Sequence, residues 1–479
     1  MFVIAARLPF TGAVSEIDRA NPVSATVSQL LPILLASIAL IIGSTMIPSP
    51  IWAVLAAGVF VLMTLVINRV APAALVILAP ILAIRFTEFI SGVAIESGAY
   101  MTETFQSGAP TGAFSRLLLV HGFFFAVATT IIQAAWPRLS GQFLLPDQWW
   151  NRRVQPVALL LAAILALAAL YVAYLGMTSG LPLLTGEDRF SFQRRLDSNV
   201  LQFVLGNRSV FAVMIGAIFL DRRLKFVGYA CCATLLSISL LLGEKFTSLV
   251  ELSLLFAIPA GLSHIARGGV IPLGSIVKVG VGLTILTIPA ILLAYGGMND
   301  LPGAVARLGE RVSQQGQLWF LTDRNHFQLV AWNSSKLGQD FQTWFDVQSQ
   351  DSRVFRQAFG RYWIMAEYVP AAQLGFIMDT GGGYVFSQMP YALRTMGFVG
   401  LMALTAIIAA YHAGLFLLIA YALPRMNLFA LIALGRVLIG LTAFYYTGYF
   451  FSVFGIKTLL AIAAALFFLW LGRYRIAWR

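Results

Sequence analysis

Long apolar runs separated by short polar connections dominate the chain. A helix needs about 20 apolar residues to cross the hydrocarbon core of a membrane. We predict transmembrane helices for the runs at 28–47, 50–67, 71–94, 114–136, 154–176, 200–220, 224–242, 247–265, 272–296, 393–422, 427–446 and 449–472. The predicted fold is therefore an all-α integral membrane protein with about 12 transmembrane helices.

The stretch from Gly297 to Gly383 breaks this pattern, because it holds seven Lys/Arg, eight Asp/Glu and four of the ten tryptophans. Apolar residues recur at helical spacing within 303–319, Leu337–Phe345 and Val354–Tyr368. We expect short amphipathic helices there, lying on the membrane surface or over the helix bundle. Loops of this size between membrane helices commonly carry function, so we expect this stretch to handle substrate.

Basic residues in short loops predict the orientation. One side of a twelve-helix arrangement collects Arg69, Arg138, Arg152, Arg153, Arg222, Arg223, Lys225, Arg267, Arg425, Arg473, Arg475 and Arg479. That side is predicted to be cytoplasmic, with the loops 95–113 and 177–199 and the long stretch outside. The expected organisation is a cytoplasmic segment 1–27, a nine-helix region 28–296, a large periplasmic loop region 297–392, a three-helix region 393–472 and a cytoplasmic tail 473–479. The expected location is the bacterial inner membrane, with both termini cytoplasmic.

Composition agrees with a membrane protein, since 59% of residues are hydrophobic and 11% charged, against about 25% charged in soluble domains. The first 27 residues do not have the pattern of a cleavable signal peptide. Adjacent Cys231 and Cys232 lie in an apolar run, which argues against disulfides and cysteine metal sites. The net charge of +12 is attributed to loop arginines and not to nucleic-acid binding. We find no P-loop, GxSxG or zincin motif, so neither a metal nor another cofactor is expected.

Charged residues inside the predicted spans are candidates for function, because charge is costly there. Internal ion pairs or snorkelling are the favoured interpretation for Arg85, Arg436, Lys457, His121 and His412. For a second set of basic residues we favour a functional interpretation, a cationic cluster at the outer membrane face. The predicted pyrophosphate site comprises Arg194, Arg195, Arg208, Lys245, Arg311 and Arg324. Arginine binds phosphate oxygens in bidentate fashion, although contacts to anionic lipids are the competing explanation.

His326 is the single histidine of the predicted outer loops, which makes it the first candidate for a catalytic base. Glu367 and Asp379 are the second and third candidates, if they lie buried among aromatic side chains. The alternatives are a surface or capping role for His326, and a rate supplied by orientation alone. Trp319 and Trp363 are predicted to contact sugar rings, with an interfacial or local-core role as the alternative.

With these features the chain resembles the Wzy-type O-antigen or oligosaccharide repeat-unit polymerases, within the broader group that includes the O-antigen ligases. The resemblance covers the full-length architecture. Its local matches are Gly243–Thr247, Arg311–Trp319, Gly381–Tyr384 leading to Arg394–Gly397, and the ten-residue spacing between Arg195 and Gly206.

The resemblance implies a metal-independent, GT-C-like glycosyltransferase that polymerises undecaprenyl-pyrophosphate-linked repeat units into O-antigen or a similar polysaccharide at the periplasmic face. It implies arginines at the pyrophosphate and a base for the acceptor hydroxyl. The implied partners are undecaprenyl-pyrophosphate-linked glycans, the lipid bilayer and a chain-length regulator protein. An O-antigen ligase remains an alternative. A non-enzymatic lipid-linked oligosaccharide flippase or transporter is another, although internal repeats and compact loops are typical of transporters, and we detect neither.

Overall fold

The computed structural model describes residues 22–144, 147–182, 192, 198–243, 246–272, 274, 277–278, 281–282, 310, 312–343, 359–379 and 386–472. Its helices and strands are α1 (Pro22–Met46), α2 (Ile51–Val70), α3 (Pro72–Glu96), β1 (Tyr100–Met101), β2 (Gln106–Ser107), α4 (Ala113–Ser140), α5 (Asp147–Thr178), α6 (Asn199–Leu220), α7 (Lys225–Leu241), α8 (Phe246–Ala266), α9 (Gln317–His326), α10 (Ser334–Thr343), α11 (Gly360–Tyr368), α12 (Ala371–Asp379), α13 (Gln388–Ala422), α14 (Leu428–Thr447), α15 (Phe451–Phe454) and α16 (Ile456–Leu471).

The part of the chain that the structure describes contains ten segments long and apolar enough to cross a membrane. They are α1 to α6, α8, α13, α14 and the pair α15–α16, while α7 is a shorter apolar helix. The prediction of an all-α, multi-pass membrane protein is therefore confirmed. The count of 12 stays a prediction, because the expected span 272–296 falls almost entirely outside the described residues.

The long polar stretch contains helices, as its periodicity predicted, but with shifted boundaries. The first part of the predicted helix 303–319 lies outside the described residues, a turn occupies 314–316, and helix α9 begins at Gln317. Helix α10 overlaps the second predicted segment but begins three residues earlier, at Ser334, and helix α11 falls within the third. The loop 95–113 adds one feature that the sequence analysis missed, a two-stranded antiparallel ribbon that pairs Tyr100 with Ser107.

Helix ends in the bundle follow from local capping. The side chain of Ser198 accepts a hydrogen bond from Leu201 N at the start of α6, and that of Asn427 accepts one from Ala430 N at the start of α14. Helix α14 ends at Gly448, whose φ of 71° lies in the left-handed region that glycine adopts freely. These caps satisfy backbone groups at points where the chain must turn.

Helices α4 and α6 organise the packing. Helix α4 contacts α1, α2, α3 and α13, and helix α6 contacts α5, α7, α8 and α14. Helices α1, α2, α5 and α16 instead leave large apolar side chains exposed on the outer surface, among them Leu35, Val54, Leu170 and Leu460. An apolar exterior of this kind is what a lipid environment accommodates.

A buried cluster of ionisable groups joins three helices inside the bundle. Arg85 Nη1 donates to Glu88 Oε1 at 2.9 Å, and Glu88 Oε2 lies 2.7 Å from His121 Nε2 on α4. Arg85 Nη2 also donates to Oε1 of Gln388, the first residue of α13, at 3.3 Å. The internal ion pairing expected for Arg85 is thus confirmed, and His121 is hydrogen-bonded to the same carboxylate. Glu88 is the partner that the sequence analysis did not name.

The remaining ionisable residues of the spans have other environments. Arg436 and Lys457 are exposed on the surface of the bundle. His412 forms a hydrogen bond through Nδ1 to Tyr445 Oη at 2.9 Å, and its Nε2 has no hydrogen-bond partner among the described residues. His412 and Tyr445 line a cavity of about 30 Å³, which is space for about one water molecule.

Replacing Glu88 with Ala tests the energetic role of the buried cluster. The change leaves the Arg85 guanidinium without its carboxylate in a nearly inaccessible position, and such a loss costs about 3–5 kcal/mol. We expect a large fall in the thermal unfolding midpoint of the purified protein in detergent. Lys457→Ala, which removes an exposed charge, is the matched control and should change stability by less than about 0.5 kcal/mol. Equal midpoints for the two variants would contradict the role assigned to Glu88.

Candidate functional site

Helix α9 is fixed to the end of the bundle where α3 stops and α4 starts. Ser91 Oγ on α3 donates to Ser313 O and accepts from Gly316 N, each at 2.8 Å. Trp319 Nε1 donates to Ala113 O at 2.8 Å, and the Trp319 side chain is almost completely buried. The environment of Trp319 corresponds to the local-core alternative, because this ring anchors α9 against α4.

An ion pair between Arg116 and Asp323 strengthens the same attachment. Arg116 Nε donates to both carboxylate oxygens of Asp323, at 2.8 and 3.1 Å, and Arg116 Nη2 also bonds to Asp323. Burial raises the pKa of the Asp323 carboxyl, and the adjacent guanidinium opposes that rise. The Arg116 guanidinium also lies 4.9 Å from the Phe327 ring centroid. Contacts on both sides of His326 therefore hold the C-terminal end of α9 in place.

Two of the predicted candidate bases meet in one cluster. His326 Nε2 lies 2.5 Å from Glu367 Oε1 on α11, and the other oxygen, Glu367 Oε2, lies 2.8 Å from Arg394 Nη1 on α13. The side chains of His326 and Glu367 are 31% and 30% exposed, so molecules outside the protein can reach them. A histidine hydrogen-bonded to a carboxylate that an arginine also contacts has the geometry of an oriented acid–base group.

Trp363 joins this cluster to a second ion pair. The Arg394 guanidinium lies 4.0 Å from the Trp363 ring centroid, and Lys336 Nζ lies 5.1 Å from the same centroid. Lys336 Nζ is 3.8 Å from Asp340 Oδ1, and Tyr391 Oη donates to the other oxygen of Asp340. The half-buried Trp363 thus contacts two cationic groups, each paired with a carboxylate.

Burial changes the titration of this second pair. It lowers the pKa of Lys336 to about 8, with Asp340 acting in the opposite direction. It raises the pKa of the Asp340 carboxyl, against the hydrogen bond from Tyr391 and the charge of Lys336. The charge of Lys336 therefore decreases as the pH rises through about 8.

Helix α13 is interrupted next to the cluster. Gly397 has φ 69° and ψ −177°, which separates the turn that carries Arg394 from the rest of the helix. Three backbone hydrogen bonds connect this break to the segment Phe327–Asn333, which we call the strap. They run from Asn333 N to Thr395 O at 2.9 Å, from Phe398 N to Gln328 O at 2.9 Å and from Val399 N to Leu329 O at 3.0 Å. The strap follows His326 directly, so the break holds His326 and Arg394 close to each other.

Other predicted site residues do not belong to this cluster. Asp379 is exposed at the end of α12. Arg324 is exposed, bonds to Gln106 Oε1 and lies 5.3 Å from the Phe320 ring centroid, while Arg208 is half-buried in α6. The predicted pyrophosphate contacts Arg194, Arg195, Lys245 and Arg311 fall outside the described residues. The convergence of these cations remains a prediction.

The sequence analysis did not assign a role to Arg394, Lys336, Asp340, Tyr391 or Arg116. For Arg394 a signal was present, since a single arginine precedes Gly397 at the start of an apolar run. For Glu88 the signal was its position three residues after Arg85, which places both on one helix face. For Lys336 the signal was Asp340, four residues later on the same helix. The contacts of Lys336 with Trp363 and of Arg116 with Asp323 have no local signal, because they join residues distant in sequence.

Comparisons with known proteins give one finding. The family model of DUF6418, a family of unknown function, matches residues 355–462. The matched region includes Trp363, Glu367, Arg394 and the helix break at Gly397, but it ends before the chain's last helix does and does not include His326. No curated protein and no solved structure shows a significant match to the chain.

Gly397→Ala tests the importance of the break. A Cβ at this position would lie 2.5 Å from Ala331 N, and φ is positive, so alanine is strained by both contact and conformation. We expect a loss of more than about 1 kcal/mol in stability, measured as a lower thermal midpoint and faster proteolysis within the strap. Gly414→Ala on the same helix is the matched control, because nothing lies within 4 Å of the position that its new methyl group would take, and it should be nearly neutral. A Gly397→Ala protein as stable as the control would contradict the strain argument.

Proposed function

We propose that this protein is a membrane glycosyltransferase that polymerises undecaprenyl-pyrophosphate-linked oligosaccharide repeat units at the periplasmic face of the inner membrane. The observation that carries the proposal is the His326–Glu367–Arg394 cluster. It is partly exposed, it adjoins Trp363, and it lies where loop helices meet the end of an apolar bundle. A substrate with a lipid tail and a sugar headgroup requires chemistry at such a boundary.

His326 is the proposed base. In the proposed tautomer Nε2–H donates to Glu367, which leaves Nδ1 to accept the proton of the acceptor hydroxyl. As the proton moves to Nδ1, the acceptor oxygen forms a bond to the anomeric carbon. The bond between that carbon and the carrier phosphate oxygen breaks, and its electron pair leaves with the pyrophosphate. Glu367 then stabilises the imidazolium, and Arg394 keeps Glu367 oriented through its second oxygen.

The groups around His326 supply binding surfaces for such a substrate. Trp363 offers an aromatic face, which suits the apolar C–H face of a sugar. Arg394, which is partly exposed, lies against this ring, and its guanidinium favours the phosphates of the carrier. Arg324, exposed on α9 two residues before His326, remains a proposed pyrophosphate contact together with Arg194, Arg195, Arg208, Lys245 and Arg311.

A second candidate function is transport of a lipid-linked oligosaccharide. Two observations favour it: the buried Arg85–Glu88–His121 cluster and the discontinuous helix α13. Buried ionisable groups and broken helices are common in transport proteins. An O-antigen ligase would use the same chemistry as the polymerase with a different acceptor.

Replacement of His326 tests the proposed chemistry with purified protein and lipid-linked repeat units. We expect His326→Ala to lower the polymerisation rate about a hundredfold or more, as is typical for loss of a general base. His264→Ala, which removes an exposed histidine near the end of α8, is the matched control and should retain activity. A His326→Ala enzyme with normal rate and an unchanged pH profile would rule out the assignment.

Loss of the gene product in cells separates the three functions by product. Without a polymerase, single repeat units remain on the lipid core. Without a ligase, the core carries no repeats and long chains remain on the carrier lipid. Without a transporter, unpolymerised lipid-linked repeat units remain on the cytoplasmic side. We expect the first pattern on a lipopolysaccharide gel, and either of the other two would replace the proposed function.

A further inference from the structure

The strap exposes its largest side chains instead of burying them. Leu329, Val330 and Trp332 are 64%, 73% and 71% exposed, and Phe327 is also exposed. Four large apolar residues within six positions form a costly surface in water. Contact with an apolar partner would remove this free-energy cost of exposing apolar side chains to water.

The strap is also held in a defined conformation. Its backbone bonds to Thr395, Phe398 and Val399 place it along the first turn after the helix break. The Phe327 ring packs on the Phe398 ring with centroids 5.6 Å apart. Since Gly397 has no side chain, the strap backbone lies directly against a helix that is long and apolar enough to span a membrane.

The apolar exterior of the strap continues the exterior of that helix. Val399, which donates its backbone N–H to Leu329, is itself 53% exposed on α13. The bonds to α13 involve Gln328 O, Leu329 O and Asn333 N of the strap. Irregular backbone is not tolerated in the hydrocarbon core, so only the apolar side chains of the strap would enter it, with the backbone at the headgroup level where water bonds the remaining peptide groups. Continuity with a membrane-length helix therefore identifies lipid as the apolar partner.

The residues around the strap fit the lipid headgroup region. Exposed polar residues precede and follow it, namely Arg324, Asn325, Ser334 and Ser335. Arg324, exposed near the end of α9, places a positive charge beside the strap, which suits anionic headgroups. Trp332, near the end of the strap, is a residue type enriched at membrane interfaces.

We infer that the strap is a membrane-embedded lip, with the side chains of Leu329, Val330 and Trp332 inserted into the lipid leaflet around the broken end of α13 and its backbone at the headgroup level. This places His326, which immediately precedes the strap, at the boundary between lipid and water. A lipid-linked substrate would then reach His326 from within the bilayer. That last consequence rests on the proposed function, whereas the lip itself does not.

Spin labelling of the full-length protein in vesicles of phosphatidylethanolamine and phosphatidylglycerol tests the lip. Single cysteines are placed at Val330, Val399 and Gln339 after Cys231→Ala and Cys232→Ala have removed the native thiols. Val399→Cys is the reference on the membrane-length helix, and Gln339→Cys is an exposed polar reference on α10. We expect the Val330→Cys label to resemble the Val399→Cys label, with higher accessibility to oxygen than to a water-soluble nickel complex.

Two results would overturn the lip. One is a Val330→Cys label as accessible to the nickel complex as the Gln339→Cys label, which would place the strap in water. The other is protection from both reagents, which would show that protein covers the strap. Leu329→Cys replaces Val330→Cys if that variant lowers the thermal midpoint. The readout is independent of activity, so the lip and the proposed function fail or survive separately.

Discussion

Backbone hydrogen bonding at the break in α13 is the constraint on which the arrangement of the site depends. Within a membrane, a helix cannot leave peptide groups unbonded without a cost of several kcal/mol per group. Gly397 interrupts the helix, and the strap supplies two carbonyl oxygens and one N–H to the groups around the break. The interruption and the strap therefore require each other. Because the strap follows α9, this requirement also ties the long polar stretch to the bundle.

The cluster at His326 is assembled from three separate segments, and each has its own anchor. The Arg116–Asp323 pair and Trp319 hold α9, while the strap continues that hold beyond His326. Helix α11 contacts α9, α12 and α13, which brings Glu367 between His326 and Arg394. Arg85 donates a hydrogen bond to Gln388 and so holds the first turn of α13. The Arg116–Asp323 pair at the end of the bundle and Arg85 inside it thus both help to position the residues of the His326 cluster.

The features predictable from sequence were those with a local signature. Apolar run length located the ten described segments that are long enough to cross a membrane, and residue type singled out His326, Glu367 and Trp363. The contact between His326 and Glu367 was not predictable, because they are 41 residues apart and meet only through packing. Trp363 reaches the same cluster through Arg394. Trp319 shows the limit of residue type, since the same ring serves as a core anchor when its N–H bonds to Ala113. The ribbon at Tyr100 was missed because each of its strands is two residues long.

Exposure distinguishes the two ionisable clusters and bears on the choice between catalysis and transport. The side chains of Arg85 and Glu88 are each 3% exposed and that of His121 1%, so no carried molecule can contact them without separation of α3, α4 and α13. A site that moves substrate or protons needs access on both sides, whereas a structural ion pair needs none. The His326–Glu367 pair is open to molecules from outside while its partners hold it in place. Group transfer requires an acid–base pair that is held in place and reachable by substrate. The difference in exposure between the two clusters therefore favours the proposed transferase over the transporter.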